Sequence, residues 1–227
     1  MSVQTRDHDA TSAAAPAATQ LSPEHLVTSR DALRTLVGTP SVVALQKQLP
    51  ALDVHCRAFI ARSPFLLLGT SSPAGDCDVS PKGDGPGFVL VLDDNTLVIP
   101  DRPGNRRVDS LTNIVENPHV GLLFLSPGVD ETLRVNGTAV ISRDPELLER
   151  LEFNGKRPLL AIVVTVQEAF LHCARSFKRA HLWEPAEWQP RAELPSLARI
   201  IMDQTQTTEC SLEELESKIE DSNRNLY

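Results

Sequence analysis

The most unusual stretch of this 227-residue chain is a cationic loop from Ile99 to Arg107. It holds three arginines and one aspartate, although the chain as a whole has a formal charge of −8. These charged residues are Asp101, Arg102, Arg106 and Arg107. Guanidinium groups bind phosphate through paired, charge-assisted hydrogen bonds. The loop therefore predicts a site for a phosphate group.

The elements beside this loop support the same interpretation. A strand is predicted to end before it, and a helix is predicted from Arg106 to Glu116 with Asn105 as its cap. Cations oppose the positive end of a helix, so a bound anion would offset them. The alternative is a surface loop whose arginines pair with carboxylates such as Asp101 or Asp109.

A second polar cluster runs from Asp78 to Asp84. Ser80 and Lys82 alternate, which places both side chains on one face of a strand. Pro81 removes a backbone donor and so favours a sheet edge or cleft. Both polar side chains could face one ligand, and an exposed turn with a solvated lysine is the alternative.

Two further segments carry basic residues. Thr132 and Arg134 share one face of a predicted strand, and an arginine among core strands usually has an anionic partner. Arg175 and Arg179 stand four residues apart and, if the segment is helical, share a face with His172. A solvated face, with Trp183 simply packed, is the alternative for the second segment.

The pattern around these residues predicts a mainly β protein with helices on both sides. β-type runs are predicted at 65–70, 78–80, 88–92, 96–100, 120–125, 131–142 and 159–166. Helices are predicted from Ser22-Pro23 to Gly38, at 42–48, at 52–61, at 144–155 and after the capping box Ser211–Glu214. We expect residues 1–20 to be a disordered leader, 21–62 a helical layer and 186–227 a C-terminal helical extension.

Composition excludes several classes of function. Acidic residues outnumber basic ones and aromatic residues make up 4%, so we expect no nucleic-acid partner. No window approaches the roughly 20 apolar residues that cross a bilayer, and we expect no membrane partner. The four cysteines, Cys56, Cys77, Cys173 and Cys210, are scattered, which favours a reduced, cytoplasmic protein without a metal.

Taken in order, the motifs resemble one known family. Between Phe59 and Pro185 the chain reads SPKGDGPGFV, IPDRPGNRR, NPHVGLLFL, ETLRVNGTA, HC and LW. This set resembles the pyridoxamine 5′-phosphate oxidase-related FMN-binding split-barrel family. The resemblance implies a six-stranded antiparallel split barrel over residues 63–185, a homodimer, and two FMN molecules at the subunit interface.

The resemblance also assigns roles to residues. Lys82 and the Asn105-Arg106-Arg107 segment match positions that hold the FMN phosphate, and Arg134 matches the strand that reaches the partner's flavin. The implied cofactor-binding set is Ser80, Pro81, Lys82, Pro100, Asp101, Arg102, Asn105, Arg106, Arg107, Thr132 and Arg134. The authentic oxidase has an arginine near the position of Cys77 and a C-terminal Arg-x-His signature, and both are absent here. Pyridoxamine phosphate is therefore not the expected substrate, and His172, Arg175, Arg179 and Trp183 are expected to line a different substrate cavity.

The leading hypothesis is an FMN-dependent oxidoreductase that acts on a small molecule, with NAD(P)H as a candidate reductant. Flavin performs the electron transfer in such enzymes, so no catalytic side chain needs to be visible. A non-catalytic flavin-binding or storage protein is the alternative. A haem-binding split barrel, with His172 or His181 as axial ligand, is a third hypothesis.

Overall fold

The computed structural model describes residues 21–227, and the leader predicted for residues 1–20 lies outside them. Seven strands form one antiparallel sheet. The strands are β1 (Phe65–Ser71), β2 (Cys77–Gly83), β3 (Leu90–Asp93), β4 (Thr96–Asp101), β5 (His119–Leu125), β6 (Thr132–Ser142) and β7 (Leu160–His172). The helices are α1 (Arg30–Val37), α2 (Val42–Gln46), α3 (Val54–Arg62), α4 (Asp109–Glu116), α5 (Pro145–Arg150), α6 (Arg175–Ala180), α7 (Leu197–Thr205) and α8 (Leu212–Arg224).

The described residues divide into two units, 21–45 and 46–227. In the described part of the first unit, the helix that we predict from Ser22-Pro23 starts later. Pro23–His25 forms only a single 3-10 turn, and α1 begins after Ser29, whose hydroxyl accepts from the Ala32 amide. Ser29 supplies the cap that Ser22 does not provide, because Ser22 makes no side-chain capping bond.

In the second unit the strands lie in the order β2-β1-β5-β6-β7-β4-β3. Every neighbouring pair is antiparallel. Lys82 on the edge strand β2 lies 3.1 Å from Asp101 at the end of β4, near the opposite edge. The sheet therefore curls until its two ends approach each other, which is how a barrel with one open seam is built.

Alternation along the strands fills the interior of this curled sheet. Leu66 and Leu68 of β1 face the same core as Leu122 and Phe124 of β5, and all four are almost fully buried. Two helices cover the open parts of the core, with Ile60 of α3 and residues Leu111 and Ile114 of α4. Burial of such side chains stabilises the fold by roughly 1.5–3 kcal/mol each. This packing holds β4 and α4 in place, and β2 is held by its pairing with β1.

The mainly β fold with flanking helices and the split-barrel class are confirmed, with one difference in the strand count. The resemblance implies six strands and the structure has seven, because the short β3 pairs with β4 through Leu90 and Val98. Two strands are also longer than predicted. β2 extends over Cys77–Gly83 and pairs with β1 throughout. β7 continues to His172 because the whole of β6 pairs with it, from Thr132 opposite His172 onwards.

The helix predicted at 144–155 is shorter, ending at Arg150, but it starts where expected. The Asp144 carboxylate accepts from the amides of Glu146 and Leu147. The capping box of Ser211 and Glu214 is confirmed at the start of α8. Within residues 21–227, no helix is long and apolar enough to cross a membrane.

Candidate functional site

A cavity of about 880 Å³ lies between β2, the loop after β4 and the first turn of α4. We call it the cationic cavity. Nine of the eleven residues predicted to bind the cofactor line it, namely Ser80, Pro81, Lys82, Pro100, Asp101, Arg102, Asn105, Arg106 and Arg107. Its size falls within the range of about 300–1,000 Å³ that is typical of small-molecule sites. The structure brings these nine residues to one cavity, and their binding of a cofactor stays a prediction.

Strand alternation places every second side chain of β2 on the face that lines the cavity. Asp78, Ser80 and Lys82 are half-buried, whereas Val79 and Pro81 between them are exposed. Ser80 and Lys82 therefore share one face, as predicted. Pro81 lies on an edge strand, because β2 ends the sheet and pairs only with β1. The missing amide of the proline costs no ladder bond at such an edge.

The loop side of the cavity differs from the prediction at the helix start. α4 begins at Asp109 rather than Arg106, and Val108 precedes it with φ of 56°. Asn105 does not cap the helix, since its side-chain oxygen accepts from the amide of Arg107 instead. Arg106 also has a positive φ, of 63°. A left-handed residue interrupts helical geometry, which is why the helical pattern of the sequence is not followed here.

Several cations of the cavity are paired with carboxylates, as the surface-loop alternative predicts. Lys82 contacts Asp101 at 3.1 Å, and Arg107 contacts Asp109 at 2.8 Å. Arg106 has no carboxylate within ion-pair distance among the residues that the structure describes. Five cations and three carboxylates line the cavity, the fifth cation being Arg157. Arg102 and Arg157 pair with carboxylates just outside the lining, so Arg106 is the one lining cation without a carboxylate partner among the described residues.

Arg102 belongs to a buried network with Asp84, Gly85 and Tyr227 that no sequence motif indicates. Its Nε donates to Asp84 at 2.7 Å, and the Asp84 side chain is only 1% exposed. The Gly85 amide and the Tyr227 hydroxyl donate to the same carboxylate at 2.8 and 2.6 Å. Burial alone would raise the pKa of Asp84, but the bonds from Tyr227, Gly85 and Arg102 outweigh it and lower that pKa.

Further functional candidates escaped the sequence reasoning. Asp78 accepts from the Ser110 hydroxyl at 2.5 Å, which joins β2 to α4 in the cavity wall. Arg157 reaches the lining from the loop before β7, where it also pairs with Glu149 and Glu152. Asp78 lies inside the motif from Asp78 to Asp84 and could have been singled out by alternation with Ser80. The sequence around Arg157 contains no motif that indicates a binding site.

Thr132 and Arg134 do not line the cationic cavity. Thr132 is buried at the start of β6, and Arg134 lies two residues further along the strand. The Arg134 guanidinium lies 5.2 Å from the centre of the Phe170 ring. Lys47 lies over the same ring at 5.5 Å. These two cations mark a second basic patch on the outside of β6 and β7.

The segment from His172 to Trp183 also lies away from the cationic cavity. His172 ends β7, so the prediction that it shares a helix face with Arg175 and Arg179 is wrong. Burial lowers the pKa of His172, and the charges of Arg134 and Lys47 act in the same direction. A neutral imidazole is favoured at this position.

The other aromatic groups of that segment have protein partners. The Trp183 indole donates to the Val129 carbonyl at 2.9 Å and packs against Phe177 at 5.9 Å between ring centres. His181 contacts Glu184 at 3.0 Å. Neither His172 nor His181, the two candidate haem ligands, lines the cationic cavity. The cavity itself is suited to bind an anionic small molecule through arginine and lysine.

Comparison with known proteins gives one match to a sequence family. The model of the family described as pyridoxamine 5′-phosphate oxidase matches residues 52–173, which is more than half of the chain. No curated protein matches the chain. The matched region contains β1 to β7 and therefore the cationic cavity.

Solved structures provide similar folds at low identity. HupZ of Group A Streptococcus is 18% identical, with 53% of this chain and 93% of that chain covered and a TM-score of 0.44. General stress protein 26 of Bacillus anthracis is 17% identical, with 52% and 94% covered and a TM-score of 0.40. An FMN-binding protein of Syntrophomonas wolfei is 12% identical, with 63% and 96% covered and a TM-score of 0.41.

Proposed function

The chain belongs to the pyridoxamine 5′-phosphate oxidase family, and from that premise we propose that it binds FMN in the cationic cavity. The observation that carries the proposal is Arg106, which lines the cavity and has no carboxylate partner among the described residues. A phosphate group would supply the anion that Arg106 lacks. FMN ends in such a phosphate, and riboflavin is the same flavin without it.

The residues of the cavity fit this cofactor. Lys82, Arg106 and Arg107 would hold the phosphate, and Ser80, Pro81, Pro100 and Asp101 would line the site beside it. Arg106 is suited to this role because no carboxylate of the described chain pairs with it. Charge-assisted hydrogen bonds from such groups are the stronger class of hydrogen bond in proteins.

We further propose that the protein is an FMN-dependent oxidoreductase that acts on a small molecule. Bound flavin supplies the electron transfer, and the protein supplies binding, orientation and electrostatics. His172, Arg175, Arg179 and Trp183 are proposed to form the substrate cavity. Arg175 and Arg179 are exposed, so their charges are available to an anionic substrate or to NAD(P)H. Anaerobic bleaching of the bound flavin by NAD(P)H would separate this proposal from a storage protein.

A comparison of two flavins tests the binding proposal directly. The wild-type protein should bind FMN at least tenfold more tightly than riboflavin, because each phosphate contact contributes roughly 1.5–3 kcal/mol. Titration of each flavin, followed by fluorescence quenching, measures both dissociation constants. Equal affinity for the two flavins would remove the phosphate site from the proposal.

The family further suggests a homodimer in which each flavin lies between subunits. Thr132 and Arg134 would then contact the flavin held by the other subunit's cationic cavity, which is consistent with their place outside their own cavity. Light scattering should give about twice 24.9 kDa. Added FMN should lower the dissociation constant of the dimer, because a ligand bound across an interface stabilises that interface. The dimer should then persist at lower protein concentrations. A monomer that binds FMN tightly would contradict this arrangement.

A further inference from the structure

We propose that Tyr227 is a positioning residue for the cationic cavity and that it acts through Asp84 on Arg102. The inference rests on the proposed function, because the phosphate of bound FMN is the anion that Arg102 would contact. Tyr227 lies outside the family match, which ends at residue 173. The role therefore belongs to the C-terminal helical extension, residues 186–227, for which the family assigns nothing.

The contact joins distant parts of the chain. The Tyr227 hydroxyl donates to Oδ1 of Asp84 at 2.6 Å, across 143 residues of sequence. The Arg102 guanidinium lies 5.6 Å from the centre of the Tyr227 ring. The ring also packs against Phe153, with 5.5 Å between ring centres. Tyr227 thus contacts both members of the Asp84–Arg102 pair, and Phe153 packs against the Tyr227 ring.

Burial makes the hydroxyl contact important. The Asp84 side chain is 1% exposed and the Arg102 side chain 15%. A carboxylate so deeply buried needs hydrogen bonds on both oxygens to remain charged. Arg102 Nε occupies Oδ2, while Tyr227 and the Gly85 amide occupy Oδ1. Loss of the hydroxyl would leave Oδ1 with one donor and loosen the carboxylate that orients Arg102.

The geometry gives Arg102 a defined direction. Its Nε is held by Asp84, and the Tyr227 ring lies beside the guanidinium plane of the same residue. Arg102 also lines the cationic cavity. The guanidinium nitrogens beyond Nε can therefore serve a phosphate, provided that Asp84 and Tyr227 keep the side chain in this rotamer. The planar fork of arginine matches phosphate, and a side chain already held in position loses less entropy on binding it.

The replacement Tyr227→Phe tests the hydroxyl while keeping the ring. We expect FMN binding to weaken about fivefold, the usual worth of one hydrogen bond, and riboflavin binding to stay the same. Leu226→Ala is the matched control, because Leu226 is its neighbour and is 61% exposed. A merely structural role would weaken both flavins together and would leave their ratio unchanged, which would overturn the proposal. An unchanged FMN affinity in Tyr227→Phe would overturn it as well.

A second readout needs no flavin. Tyr227 is the only tyrosine of the chain, so its ionisation can be followed by ultraviolet absorbance. The hydrogen bond to Asp84 raises the pKa of Tyr227, with burial and the Asp84 charge adding to the effect and Arg102 opposing it. Asp84→Asn should move this pKa back towards its ordinary value of about 10. An ordinary pKa in the wild type would show that the contact is absent and would overturn the inference.

The two readouts separate the two proposals. If wild-type protein prefers FMN and Tyr227→Phe does not change that preference, the positioning role fails and the phosphate site stands. If the wild type binds both flavins equally, the phosphate site fails and the role of Tyr227 fails with it. A raised Tyr227 pKa together with a selective loss of FMN affinity in Tyr227→Phe would support both.

Discussion

Replacing Arg106 and Arg107 together by alanine should weaken FMN binding at least tenfold and leave riboflavin binding nearly unchanged. Each charge-assisted contact to the phosphate contributes roughly 1.5–3 kcal/mol, and about 1.4 kcal/mol corresponds to a factor of ten. The single replacements should differ. Arg106→Ala should have the larger effect, because Arg107 already pairs with the Asp109 carboxylate at 2.8 Å.

Titration of both flavins into the two single variants, the double variant and a control measures these effects. Arg199→Ala is a suitable control, since Arg199 is exposed on α7 and its ion pair among the described residues is with Asp203, at 3.7 Å. It removes one cation without touching the cationic cavity. The FMN preference of the wild type should also decline as salt is added, because exposed charges are screened. Equal losses for FMN and riboflavin in the double variant would contradict a phosphate contact.

Nine of the residues that line the cavity could be named from the sequence because they lie in two short local motifs. Ser80 and Lys82 share a face through strand alternation alone, and the cluster from Pro100 to Arg107 is contiguous in sequence. Alternation and local charge density are both readable without knowing the tertiary contacts. That β2 and the end of β4 meet at all came only from the resemblance, because the meeting depends on how far the sheet curls.

The start of α4 could not be predicted from the same signals. Val108, Leu111, Ile114 and Val115 have a helical period, so the pattern allows a helix from Arg106. The structure has left-handed backbone at Arg106 and Val108 instead, which the helical period does not reveal. The bond from Ser110 to Asp78 on β2 ties the first turn of α4 to the sheet, and no local pattern relates these two residues.

The Asp84 network was hidden for a different reason. Asp84 and Tyr227 are 143 residues apart, and no periodicity or spacing relates them. Tyr227 follows a helix whose charged faces predict only solvation. Long-range hydrogen bonds between single polar residues leave no pattern in one sequence, so this part of the site needed the structure.

Gly137→Ala should lower the free energy of unfolding by about 3 kcal/mol, the upper end of the usual cost of overpacking. A Cβ built on Gly137 would lie 2.0 Å from the Thr165 carbonyl oxygen and 3.0 Å from its carbonyl carbon. Both atoms belong to the backbone of β7, so no side-chain rotation relieves the clash. Gly137 also lies where the β6–β7 register shifts, next to Asn136. The strands must separate there to admit a methyl group.

Gly69→Ala provides the matched control within the same sheet. Its Cβ would meet only the Gly121 carbonyl oxygen, at 3.5 Å, which is an ordinary contact. Neither glycine has a positive φ, so the two replacements differ in space rather than in backbone preference. For a protein of this size, 3 kcal/mol corresponds to a fall in Tm of about 6–12 °C, measurable by thermal or urea unfolding. Because β6 carries Arg134 and β7 ends at His172, weaker pairing of β6 with β7 should also disturb the second basic patch. Equal stabilities of the two variants would contradict the close approach at Gly137.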